Sequence, residues 1–142
     1  MNYSDVRYNL EKRFNDNWTD TDVIVWENSD SVVPTTDYWV RLTILPTSGE
    51  NAELGSRVKK TGLVILQIYG PKGLGTGKLF ELADSYNTLM QNYRFPGLDL
   101  FTYAASPEVI GESPSFSPGS GEFKTSTSGF FQINSKIPFE AF

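Results

Sequence analysis

Leu63-Val64-Ile65-Leu66-Gln67-Ile68-Tyr69 runs through Gly70-Pro71-Lys72-Gly73-Leu74-Gly75-Thr76-Gly77-Lys78 into a helical pattern. The first seven residues are nearly all apolar. They predict a central strand covered on both faces. Leu79, Leu82, Ala83, Tyr86, Leu89, Met90 and Tyr93 then trace one helical stripe. That stripe predicts a helix from about Lys78 to Tyr93, closed by Pro96-Gly97. The glycines between the two elements predict a bend with positive φ values and close backbone approach.

On the N-terminal side, Tyr3, Val6, Leu10 and Phe14 recur at helical spacing, with Trp18 one step further on. An amphipathic helix is expected from about Ser4 to Asn15, capped by Asn2 or Ser4, with Asp5 in its first turn. Lys12 and Arg13 lie toward its other end, where the helix dipole favours cations. Val23-Ile24-Val25-Trp26 reads as a short strand, followed by a turn at Glu27-Asn28-Ser29-Asp30. Pro34 to Asp37 leads into a strand from Tyr38 to Leu45 that Pro46 is expected to end. Thr47 to Asn51 reads as a turn, and Leu54 to Lys60 as weakly extended.

On the C-terminal side, Leu98 to Tyr103 alternates and predicts a fourth strand. Residues 107–128 are expected to form an extended loop or arm, Ser/Gly/Pro-rich from Gly111 onward. Phe130 to Ile137 predicts a fifth strand. The order is helix, three strands, helix, two strands. It implies a single α+β domain over residues 1–142, with a mixed, mostly antiparallel sheet of about five strands flanked by two helices.

Composition removes whole classes of chemistry. The 142 residues include no cysteine and no histidine. No disulfide, thiolate metal site, Ser-His-Asp triad or Cys-His pair can be built. Net charge is -5, and the 12 Lys and Arg are scattered, with Lys12-Arg13 and Lys59-Lys60 the only adjacent basic pairs. A phosphate-gripping surface needs a basic patch or stripe, which this pattern lacks. The N-terminus has no basic n-region and no apolar h-region, and no apolar run is long enough to span a bilayer. A soluble, cytoplasmically made protein with no membrane partner is expected.

Three features were candidates for chemistry. The glycine-rich bend sits where phosphate loops sit, yet a P-loop ending in Gly77-Lys78 would need glycine at Lys72 and a hydroxyl at Leu79. A dinucleotide loop from Gly73-x-Gly75 would need glycine at Lys78. The bend therefore reads as backbone shaped for a protein contact through Gly73, Gly75, Gly77 and Lys78. Paired carboxylates occur at Glu81 and Asp84 on the second helix, at Glu27 and Asp30, and at Asp20 and Asp22. Nothing in the sequence sets any of them in a pocket that would raise one pKa. No catalytic, cofactor or metal residue is assigned. Among the aromatics, Phe139 and Phe142 read as interface anchors, since a chain end is seldom ordered unless it docks. Removing Phe139 to Phe142 is accordingly expected to weaken assembly more than folding.

Several landmarks then align in order. Trp26-Glu27-Asn28 follows a short strand, and Tyr38-x-Val40-Arg41-Leu42 lies on the next. Gly62 opens a strand that ends in Tyr69-Gly70-Pro71-x-Gly73-x-Gly75-x-Gly77. Leu82-Ala83-Asp84 lies on the following helix, and Ile137-Pro138-Phe139-x-Ala141 closes the chain. In this ordered set the chain resembles the phage tail terminator family, including the small terminator of lambdoid phages. The segment from Pro107 to Ser128 is longer and richer in Ser, Gly and Pro than that family's pattern.

The resemblance implies a non-enzymatic virion protein, assembled in the host cytoplasm as a homo-hexameric ring. Such a ring caps the tail tube, stops its polymerisation and offers a surface to neck or head-completion proteins, and in contractile tails to the sheath. DNA would pass through the lumen without specific binding. Two alternatives stay open: another tail or neck component, such as a tube or head-completion subunit, and a small nucleotide-binding domain using the glycine bend.

Overall fold

The computed structural model describes residues 1–21, 23–27, 29, 37–51, 58–113, 115–116, 123–124 and 130–142. Helix α1 spans Tyr3–Asn17. Asn2 caps it reciprocally with Asp5: the Asp5 amide donates to Asn2 Oδ1 at 2.8 Å, and the Asn2 amide donates to Asp5 Oδ2 at 3.1 Å. The expected caps Asn2 and Ser4 thus resolve to Asn2. The helix runs on past Lys12 and Arg13, whose side chains therefore do not lie in its last turn. Arg13 instead reaches the other helix. Its Nε and Nη2 donate to the Leu89 carbonyl at 3.0 and 2.8 Å, and its guanidinium lies 3.4 Å from the centroid of the Tyr93 ring. The cation so meets the carboxyl end of α2 (Gly77–Met90), where the carbonyl dipoles are left unpaired.

The strands are β1 (Ile24–Trp26), β2 (Trp39–Asn51), β3 (Val58–Pro71), β4 (Leu100–Thr102), β5 (Ser106–Ser113), β6 (Ser115–Phe116), β7 (Phe123–Lys124) and β8 (Phe130–Ala141). Among the described residues the main sheet has six strands in the order β1-β2-β3-β8-β4, with β5 also paired to β8. β1 is parallel to β2, and every other pairing is antiparallel. β4 lies against Phe139 to Ala141 and β5 against Phe130 to Lys136, so the two short strands share β8 end to end. The fold class is the α+β sheet with two helices that the order of elements implied.

Four expectations change. Pro46 does not end its strand. β2 continues to Asn51, absorbing the expected turn at 47–51, and the register shifts between Pro46 and Ser48. A proline is tolerated there because β1 stops opposite Leu42, leaving the outer edge of β2 without a partner among the described residues. The start of the 107–128 arm is strand: Ser106–Ser113 pairs with β8, with a register shift at Ile110, and β6 pairs with β7 as a separate ribbon. The strand signal had been masked by the density of Ser, Gly and Pro. α2 ends at Met90, and the chain then turns through Asn92 at φ 49°. Lastly, β3 is central and Ile65 on its second face is also buried, but no described helix joins that face. Asn28 and Asp30 of the expected turn, the lead-in over Pro34 to Thr36, residues 54–57, Asp22, and residues 114, 117–122 and 125–128 of the arm lie outside the described residues.

The period of two in β3 sorts its residues. Val64, Leu66 and Ile68 are fully buried and belong to the same core cluster as the apolar faces of both helices. Val6, Leu10 and Phe14 of α1 join them, as do Leu79, Leu82, Ala83, Tyr86 and Met90 of α2. Ile133, Ile137, Phe139 and Ala141 of β8 complete the layer. Buried polar groups inside it are paired, as they must be. Tyr86 donates to the Val64 carbonyl at 3.0 Å, and burial pushes its phenol pKa well up. Thr102 Oγ1 donates to the Met90 carbonyl at 2.5 Å and accepts from the Tyr93 amide at 2.9 Å, tying the helix exit to β4.

Candidate functional site

Strand β3 ends at Pro71 and α2 starts at Gly77. Between them Gly73 and Gly75 take φ values of 86° and 75°, a conformation that a side chain disfavours. A Cβ built on Gly73, Gly75 or Gly77 would meet nothing within 4 Å. On the side where a side chain would project, each of these glycines thus faces open space. Leu74, between the two positive-φ glycines, is 63% exposed, and Phe80 in the first turn of α2 is 40% exposed. Lys78 is exposed as well. Thr76 precedes the helix without a side-chain cap bond.

The other two candidate residues lie elsewhere. Phe139 is 1% exposed and sits in the main core. Its ring covers Gly62: a Cβ there would come within 2.5 Å of Phe139 Cζ and 2.6 Å of the Leu45 carbonyl oxygen. The expectation that Phe139 is an interface anchor is therefore corrected. The chain end is ordered because it docks on its own sheet, as the last residues of β8. Phe142 is half-buried, and its amide donates to the Asp99 carbonyl at 2.9 Å. β3 pairs with Ala141 at Lys60 and with Phe130 at Pro71, so the glycine bend and the chain end occupy opposite ends of the sheet. At roughly 3.4 Å per residue they are separated by over about 30 Å.

The carboxylates do not assemble into a catalytic pair. Glu81 and Asp84 are exposed on the outer face of α2, and Asp20 and Glu27 are exposed. Among the described residues, no group of three or more acids could hold a metal. The acid with a distinctive environment is Glu140. Lys59 Nζ lies 2.8 Å from it, and the Tyr103 hydroxyl donates to it at 2.6 Å. The Lys59 hydrogen bond first, and Tyr103 second, hold its pKa below the usual carboxylate range. A shallow groove lined by Tyr8, Glu11, Lys12, Asn15, Asp16 and Trp26 lies beside α1, where Lys12 already pairs with Asp16 at 3.0 Å.

Sequence reading missed the aromatic cluster on the sheet face that neither described helix covers. Trp39 and Tyr69 stack there at 3.9 Å and 7° between rings, with Phe130 edge-on to both. These are cross-strand neighbours, Trp39 opposite Tyr69 and Pro71 opposite Phe130. Arg41 follows Trp39 on the same face. Burial raises the Tyr69 phenol pKa, and the Arg41 charge opposes that shift. The alternation of Trp39, Arg41 and Thr43 in the sequence held the signal, but which side the helices would cover was not legible.

No helix among the described residues is long and apolar enough to cross a membrane. No protein-family model matches the chain, and no curated protein matches it. The chain is similar to solved structures. One of them is 15% identical, is matched over 96% of its length by 100% of this chain, and superposes with a TM-score of 0.68. At that identity the likeness shows the fold alone.

Proposed function

We propose that this protein is a structural subunit that closes into a ring and caps a phage tail tube, as tail terminators do. The observation that carries the reading is the bend after β3. It displays an exposed apolar side chain, Leu74, between two glycines of positive φ. An exposed leucine flanked by bare backbone suits a protein partner, whereas a phosphate loop wraps its amides around an anion. The ordered motifs from Trp26 to Ala141 add the family resemblance. In this reading the ring binds the last tube ring, halts tube growth, and meets neck or head-completion proteins and, in contractile tails, the sheath. A net charge of -5 lets DNA pass through the lumen with few phosphate contacts. The protein works in the virion and has no catalytic step.

The test is to add the purified chain to polymerising tail tubes and image the products. Capped tubes of limited length, each bearing one terminal ring, are expected. A chain that stays monomeric by native mass spectrometry and leaves tube ends bare would sink the proposal. Many rings per particle would point instead to a tube subunit. Thermal stabilisation by a magnesium nucleotide, abolished by Lys78→Ala, would point to a nucleotide site at the bend.

A further inference from the structure

The Val40 amide donates to the Val23 carbonyl at 3.4 Å, so Val40 turns its N–H to the outer side of β2. Successive N–H groups of a strand point to alternate sides. The register with β3 is unbroken from Trp39 to Pro46, so Leu42, Ile44 and Pro46 also turn their nitrogens outward. The alternation carries across the sheet, because opposite residues of an antiparallel pair turn either both toward each other or both away. Leu66 and Ile68, opposite Leu42 and Val40, face β8, and their β8 partners Ser135 and Ile133 face back to β3. Pro107 and Val109, opposite Ser135 and Ile133, therefore turn away from β8, off the other edge of the sheet.

Both edges are open at these prolines. β1 stops opposite Leu42, and Leu45 to Gly49 are all exposed. β5 pairs with β8 and with no other described strand, and Ser106 to Ile110 are all exposed. The edges are also apolar: Leu45 is 48%, Val109 55% and Ile110 46% exposed. An open, apolar edge is a template for a strand of another chain. Between the end of β1 and the register shift, only Ile44 and Pro46 turn outward on β2. Before the shift in β5, only Pro107 and Val109 do. In each pair the proline removes one donor and sets ring carbons where a partner carbonyl would approach. Neither proline makes a turn, and β-branched residues suit a strand better.

We infer that Pro46 and Pro107 guard the two edges of the sheet against strand pairing with a second copy of this chain. Copies of the protein then meet through side chains and do not fuse their sheets. The inference is independent of the ring-forming reading, since it concerns a contact that the chain avoids.

Threonine in place of each proline restores the outward N–H and favours a strand. Pro46→Thr, Pro107→Thr and the double variant are compared with the wild-type full chain by sedimentation and native mass spectrometry, with melting curves alongside. Each restored donor should tighten edge pairing about tenfold, so species larger than any of the wild type appear, most strongly in the double variant. Ser106→Thr is the control. Ser106 turns its N–H toward β8, so this change adds the same side chain without an outward donor and should sediment like the wild type. Folded proline variants that sediment like the wild type at every concentration overturn the inference. So does association that appears only when the melting transition is lost, or equal association of the Ser106→Thr control.

Discussion

Replacing Phe139 with alanine should cost the fold far more than its position three residues from the last residue suggests. The ring is 1% exposed and lies over Gly62, on the layer that also holds Val64 and Ile137. Its removal forfeits the transfer free energy of the ring and leaves a cavity. Gly62 cannot fill that cavity, having no side chain. Buried Phe→Ala changes cost about 3–5 kcal/mol. Unfolding entropy near about 2.1 cal/mol/K per residue gives about 0.3 kcal/mol/K for a chain of this length, so Tm should fall by about 10–17 °C. Scanning calorimetry reads this directly. Gly62→Ala should also destabilise, by about 1–3 kcal/mol. In a Phe139→Ala background it should still cost something, because the Leu45 carbonyl oxygen, 2.6 Å from the new Cβ, obstructs it as well as the ring does. A Phe139→Ala variant melting within about 2 °C of the wild type would refute the placement of this ring and the energetic argument built on it. The same geometry corrects the expected effect of deleting Phe139 to Phe142. That deletion removes the β8 partners of Lys60, Thr61 and Gly62, so folding should suffer with assembly.

Asn2→Ala removes the reciprocal cap of α1 and should lower stability by about 1 kcal/mol in chemical denaturation, with no change in the slope. Glu140 has a folded pKa depressed by Lys59 and Tyr103, so its contribution is present above the unfolded value and is lost as pH falls through the folded one. The Tm difference between wild type and Glu140→Gln should therefore be visible at neutral pH and shrink in acid; a difference that grows in acid would contradict it. Leu74→Ser alters a side chain that is 63% exposed, so melting should be unchanged while binding to tube ends weakens, read by counting capped tubes in micrographs.

Periodicity alone determined the two helices, the central strand, the glycine bend and the α+β class, because each is written in local spacing. Missing residue types removed cysteine and histidine chemistry before any geometry was known. Which face of the sheet the helices cover was decided only by tertiary packing. Val64 and Ile65 are equally apolar neighbours, and only one side of β3 meets α1 and α2. The role of Phe139 was also a tertiary matter. Its sequence neighbourhood reads as a chain end, and the bare surface of Gly62, distant in the chain, makes it core. β5 lay hidden in a polar, glycine-bearing segment, since an edge strand needs a paired neighbour more than an apolar pattern. The Trp39–Tyr69 stack arises from strand register. Register couples residues 26 to 30 positions apart, a relation that no local pattern encodes.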